Sequence, residues 1–155
     1  MPLFKLKTMS KQKVLATEVA LVELTKFVKK HKAKEFRRGK ITEEQIPTEY
    51  IDILESLEDG NLEFDENLNP KYTLMDPVLP TEKNADASLG LREITFKTRI
   101  KPTSLANIMQ GIDVQKDSGT FSLKYMSYIT GLSLIMIDKL SKDDYDVLNQ
   151  ICSVF

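Results

Sequence analysis

Apolar and polar positions change their period near residue 71, and the change separates two kinds of element. Upstream the period is helical. No Pro or Gly interrupts residues 11–38, Ser10 is a suitable N-cap, and Gly39 follows the basic run Lys29, Lys30, Lys32, Lys34, Arg37 and Arg38. One long helix is therefore predicted over this stretch. Val14, Thr17, Ala20, Leu21, Leu24, Phe27 and Val28 form its main apolar stripe, and Leu15, Val19 and Val22 a second, smaller arc. A helix with two apolar arcs calls for two neighbours, within the fold or from a partner. Ile46-Pro47 interrupts the next segment, and Pro47 suits a helical first turn. Tyr50, Ile51, Ile53, Leu54 and Leu57 then give a second helix its apolar face, ending at Gly60, with Glu49, Asp52, Glu55, Glu58 and Asp59 toward solvent. Residues 61–70, rich in Asn, Asp and Glu, read as a connection.

Downstream, residues 71–75 are short and β-compatible before Asp76-Pro77 and Pro80 interrupt them. Residues 89–100 alternate strictly at their heart, with Arg92, Ile94, Phe96, Thr98 and Ile100 on one face and Leu91, Glu93, Thr95, Lys97 and Arg99 on the other, which predicts a strand half-buried on its Ile94–Phe96–Ile100 face. The two segments pair as a hairpin across a polar loop, residues 81–88. Helical spacing then returns. Pro102 or Thr103 starts a helix carrying Leu105, Ile108 and Met109 and closed by Gly111. Residues 120–130 carry Phe121, Tyr125 and Tyr128 and stop at Gly131; Ser133 caps a brief helix through Leu140. Ser141 with Asp144 forms a capping signature ahead of the stripe Val147, Leu148, Ile151, Val154 and Phe155. The predicted class is α+β and mostly helical: a long N-terminal helix, a short β-hairpin and a C-terminal cluster of short helices. The change of period divides these elements near residue 71.

Charge sharpens this division. The 22 Lys and Arg nearly balance the 23 Asp and Glu, yet the first 40 residues hold twelve basic and three acidic side chains, and residues 41–100 hold five and fourteen. The basic run 26–40 has four readings: docking on the acidic stretch within the chain or between subunits, a solvated helix end, a nucleic-acid contact, or a membrane-surface helix. Pairing carries the most weight, because the complementary stretch follows directly and no base-reading motif supports nucleic acid. Split charge and a two-faced helix together make self-association an expectation.

Composition removes several chemistries. One cysteine, Cys152, cannot form an intrachain disulfide or a cysteine-based zinc site, and it suits a reducing compartment as a buried structural thiol. A lone histidine, His31, excludes multi-histidine metal sites and lies among lysines without a nucleophile nearby in sequence. No Gly-rich phosphate loop is present, and Asp143-Asp144 reads as the acidic first turn of a helix rather than a cation site. No apolar run reaches the roughly 20 residues that span a bilayer. The expectation is an intracellular protein without cofactor, metal or enzymatic activity, for want of any catalytic set.

Certain pieces recur together in one known group. Tyr72-Thr73-Leu74 is followed by Asp76-Pro77-Val78 and then by residues 89–95, Leu-Gly-Leu-Arg-Glu-Ile-Thr. After a variable helix come Tyr128-Ile129-Thr130-Gly131-Leu132, a helix ending Asp138-Lys139-Leu140, and Asp144-Tyr145 leading to Phe155. In this order and spacing, residues 71–155 resemble the tail assembly chaperones of long-tailed bacteriophages, in the E-type and Mu-like group. Residues 1–70 lie outside the match, so the resemblance implies an N-terminal helical extension, residues 1–70, and a tail-assembly-chaperone-like domain, residues 71–155, which begins where the period changes. The resemblance implies a protein of the host bacterial cytoplasm that is not retained in the mature virion. It implies binding of the tape measure protein while tail tube proteins are recruited around it. Phe121, Tyr125, Tyr128, Leu132, Leu134 and Ile135 are the candidate client-binding residues, with Leu21 and Leu24 on the long helix. Met75, Met109, Met126 and Met136 add adaptable apolar surface. The rival readings are a structural tail or baseplate component retained in the virion and a nucleic-acid-binding module acting through the basic helix.

Overall fold

The computed structural model describes residues 14–78, 91–113 and 115–155. Helix α1 (Thr17–His31) has Glu18 in its first turn and Lys29, Lys30 and His31 in its last, the charge order that complements a helix dipole. It starts later than its period predicts. The amides of Val14 and Leu15 both donate to the Glu58 carbonyl, 2.6 and 3.2 Å away, so this stretch is tied to another helix instead of extending its own. The predicted cap at Ser10 lies outside the described residues. The helix also ends early, because Lys32 leaves the helical region (φ −117°, ψ 32°) and redirects the chain into a separate short helix, α2 (Ala33–Arg37), which lets Phe36 pack against the core.

A 3₁₀ turn at Glu43–Gln45 carries a reciprocal cap between Thr42 and Gln45. It leads into α3 (Ile46–Glu49), with Pro47 in its first turn, and α4 (Ile51–Asp59), which stops at Gly60 in the left-handed region (φ 80°). A Cβ at Gly60 would stand 2.8 Å from the Val14 side chain.

The sheet has three antiparallel strands in the order β1 (Leu62–Phe64), β2 (Pro70–Val78) and β3 (Leu91–Thr95). Strand β1 falls where the sequence reads as a connection. Asp65 explains it: its Oδ1 accepts the amides of Asn67 and Asn69, each at 2.8 Å, folding the polar residues 65–69 into a tight turn that returns the chain as β2. The predicted hairpin partners do pair, with Tyr72 opposite Ile94 and Thr73 opposite Glu93. Strand β3 is shorter than the alternation implies, since the Lys97 amide donates to the Ile129 carbonyl (2.8 Å) and leaves the ladder. The polar loop 81–88, with Leu89 and Gly90, lies outside the described residues.

Four further helices follow: α5 (Pro102–Met109), α6 (Ser118–Thr130), α7 (Leu134–Asp138) and α8 (Lys142–Val154). Gly131 caps α6 in the left-handed region (φ 75°), Ser133 Oγ accepts the Met136 amide, and Ser141 Oγ accepts the Asp144 amide, as the turn residues predict. The fold is α+β and mostly helical. One core joins Leu24, Phe27 and Val28 of α1 with Ile53 and Leu57 of α4, Tyr72 and Ile94 of the sheet, Met126 and Ile129 of α6, and Leu148 and Ile151 of α8. The boundary expected at residues 70/71 therefore passes through the start of the central strand, and helices from both sides of it share this core. Among the described residues, no helix is long and apolar enough to cross a membrane.

Candidate functional site

The eight candidate residues occupy four different environments. Phe121 and Tyr125 stand one turn apart on α6 with their rings stacked, centroids 5.7 Å apart and planes inclined at 19°. Together with Leu105 of α5 and Cys152 and Phe155 of the α8 end, they line a groove of about 470 Å³. Tyr125 is half-buried, and its hydroxyl donates to the Phe155 carbonyl at 3.1 Å. Burial pushes this phenol up to about 12, so at neutral pH it is a neutral donor. Cys152 is buried, and burial likewise pushes its thiol up to about 12, which leaves it unreactive. The groove is thus of mixed character, its apolar side chains interleaved with Ser122, Asn149 and Ser153, and it has a fixed hydrogen bond at one end.

Tyr128 serves a different neighbour. Its hydroxyl accepts the Lys101 amide at 3.3 Å and the Lys97 ammonium lies 4.5 Å from its ring centroid. The Lys101 amide, with Ser104 and the two ammonium groups, holds its phenol below the ordinary value. Leu132 is half-buried and packs on the core just beyond the Gly131 cap. Leu134 and Ile135 stand out from α7, 47% and 72% exposed, although Ile137 two positions later is buried in the core. On α1, Leu21 is half-buried. Leu24 is fully buried, so its place among the client-binding residues is corrected: the main stripe faces the molecule's own core. The exposed apolar residues of α1 belong to the smaller arc, Val19 (49%) and Val22 (52%).

Sequence reasoning treated Tyr72 and Asp144 separately, and the structure joins them. Asp144, fully buried at the start of α8, accepts the Tyr72 hydroxyl (2.7 Å) and the Met75 amide (2.9 Å) on Oδ1, and the Asp76 amide (3.1 Å) and Ser141 hydroxyl (2.9 Å) on Oδ2. All four partners are donors, and the carboxylate also lies in the first turn of a helix, where the dipole favours negative charge. Burial and this carboxylate hold the Tyr72 phenol far above its usual range. The arrangement latches the central strand to the last helix. Its Tyr72–Asp144 bond is buried, and the cluster holds the fold together. The two sequence pieces it unites, Tyr-Thr-Leu and Asp-Tyr, both belong to the set on which the resemblance rests.

Electrostatics are divided in space as in sequence. Lys29 of α1 forms an ion pair with Glu43 and lies over the Phe36 ring, and the Lys30 ammonium donates to the Asn67 carbonyl. Asp52, Glu55 and Asp59 of α4 face Asp143 and Asp146 of α8 across a small cleft of about 260 Å³. Among the described residues, no cluster of three or more His, Cys, Asp or Glu is placed to hold a metal ion. Comparison with protein-family models, curated proteins and solved structures finds nothing that matches this chain.

Proposed function

We propose that this chain is a phage tail assembly chaperone, a non-enzymatic protein that covers apolar faces of the tape measure protein before the tail tube closes around it. The observation that carries this reading is the pair Leu134–Ile135: two large aliphatic neighbours held in water on a short helix that is itself anchored by Ile137. Scattered exposed apolar residues are ordinary, but adjacent ones on an anchored element form a ready-made contact. The stacked Phe121–Tyr125 groove supplies a second apolar contact on the preceding helix. A tape measure protein is long and helical, and its unassembled apolar stripes are ligands for such surfaces in the manner of a helix in a groove. The resemblance of residues 71–155 to this chaperone group names the client; the geometry supplies surfaces fit for it. The reading places the protein in the host bacterial cytoplasm and outside the finished virion.

Co-expression with the tape measure protein encoded in the same genome tests it. The native chain is expected to keep that protein soluble and co-purify with it, and Leu134→Asp/Ile135→Asp to lose the complex while keeping the native circular dichroism spectrum. Full binding by the folded double variant would remove α7 from the client surface. Abundant copies of the chain in purified particles would favour a structural tail component instead.

A further inference from the structure

We propose that the outward face of α1 is a self-pairing surface, on which two copies of this chain meet antiparallel about a two-fold axis at Val22. The inference is separate from the α6 and α7 surfaces proposed for client binding and gives the face of α1 that carries Leu21 to a second copy of the chain. The inner stripe of α1 is spent on the core through Ala20, Leu24, Phe27 and Val28. Val22 lies on the opposite side of the helix, half exposed, where a lone surface helix would carry a polar residue. Around it, Val19, Val22, Lys26 and Lys29 follow one another at spacings of three, four and three, the seam of two packed helices.

The charges on this seam select its partner. Glu18 precedes Val22 by four residues and Lys26 follows it by four, so an antiparallel copy centred on Val22 sets each Glu18 against Lys26 of the other copy. The same axis sets Val19 against Thr25. Sliding the copies to bring Val19 opposite Val22 would face Glu18 with Glu23, a like-charge contact that disfavours the shifted register. Antiparallel helices also align their dipoles favourably. Leu21, Val22 and Thr25 line one shallow groove of about 390 Å³, edged by Glu18, Lys26 and the Lys29–Glu43 ion pair, which admits an aliphatic side chain from the second helix. A 15-residue helix is only about 22 Å long, so the buried area is small and the pairing is a weak one, in the micromolar range.

Sedimentation velocity of the full chain from about 1 to 200 µM reads this directly. The expected result is a monomer–dimer equilibrium that Val22→Glu abolishes and Lys26→Glu weakens at least about tenfold. Glu18→Lys combined with Lys26→Glu restores the dimer, because both reciprocal pairs are reversed together. All three sites are exposed, and unchanged circular dichroism and melting temperature show that each variant is folded. A monomer throughout the range, a dimer indifferent to Val22→Glu, or a failure of the double swap to rescue would each overturn the proposal. So would a monomeric native chain whose capture of the tape measure protein is lost on Val22→Glu, since that assigns the face to a client helix.

Discussion

Asp144 and Ile135 stand nine positions apart on consecutive helices and invert the ordinary rule of burial. The carboxylate is wholly inside, and the isoleucine is nearly three-quarters in water. Asp144 is inside because four donors converge on its two oxygens, so no lone buried charge remains. Ile135 is outside because α7 is five residues long and turns only Ile137 fully onto the core. At these two positions burial follows the supply of partners rather than hydropathy, against a core that is mostly apolar. A third residue lies between these extremes. His31 packs edge-on against Phe27 and Phe155, with centroids 5.0 and 4.8 Å away, and its Nε2 has no hydrogen-bond partner among the described residues.

The comparison is broken most severely by removing the acceptor. Asp144→Ala leaves the Tyr72 hydroxyl, the Met75 and Asp76 amides and the Ser141 hydroxyl without their shared partner. A loss of about 4 kcal/mol in chemical denaturation is expected. Tyr72→Phe removes one donor and leaves the other three, so about 1 kcal/mol is expected in the same measurement.

His31 has a smaller effect, and one that depends on pH. Burial, reinforced by Lys30, lowers its pKa below 6.5, so the folded protein prefers the neutral ring and the unfolded chain takes up the proton first. Its stabilising contribution is complete above pH 6.5. It is lost as pH falls from there toward the lowered folded value. Thermal melts from pH 7.5 to pH 5 should show a decline in melting temperature that His31→Phe flattens; equal slopes for both proteins would refute it. The smallest effect belongs to Ile135→Ser, expected to change stability by less than about 0.5 kcal/mol because the side chain is already hydrated. A loss above about 2 kcal/mol would show that Ile135 belongs to the core after all and would remove the contrast.

Elements whose signals are local were legible in the sequence. Ser141, Ser133 and Gly131 mark their helix ends through backbone hydrogen bonds made within a few residues, and the α8 stripe is continuous enough to be read directly. Distant contacts override such signals. Strand β1 was hidden because only Leu62 of its three residues is buried and the neighbouring Asn, Asp and Glu serve a turn built by Asp65. The break at Lys32 was hidden because lysines favour helices and the chain bends there to seat Phe36. On α1 the wheel separated two arcs but could not say which meets the core; Leu24 went inside and Val22 outside. The candidate client residues were legible as apolar positions, whereas the groove joining Phe121 to Phe155 exists only once α6 and α8 have packed.

The latch at Asp144 also has a consequence for biosynthesis. The acceptor for Tyr72 lies 72 residues further along the chain, so the central strand leaves the ribosome long before the group that secures it. Until α8 has emerged, a nascent polypeptide has α1, α4 and the sheet strands but lacks both the Asp144 acceptor and Leu148 and Ile151 of the shared core, and the native state closes only once translation has passed α8.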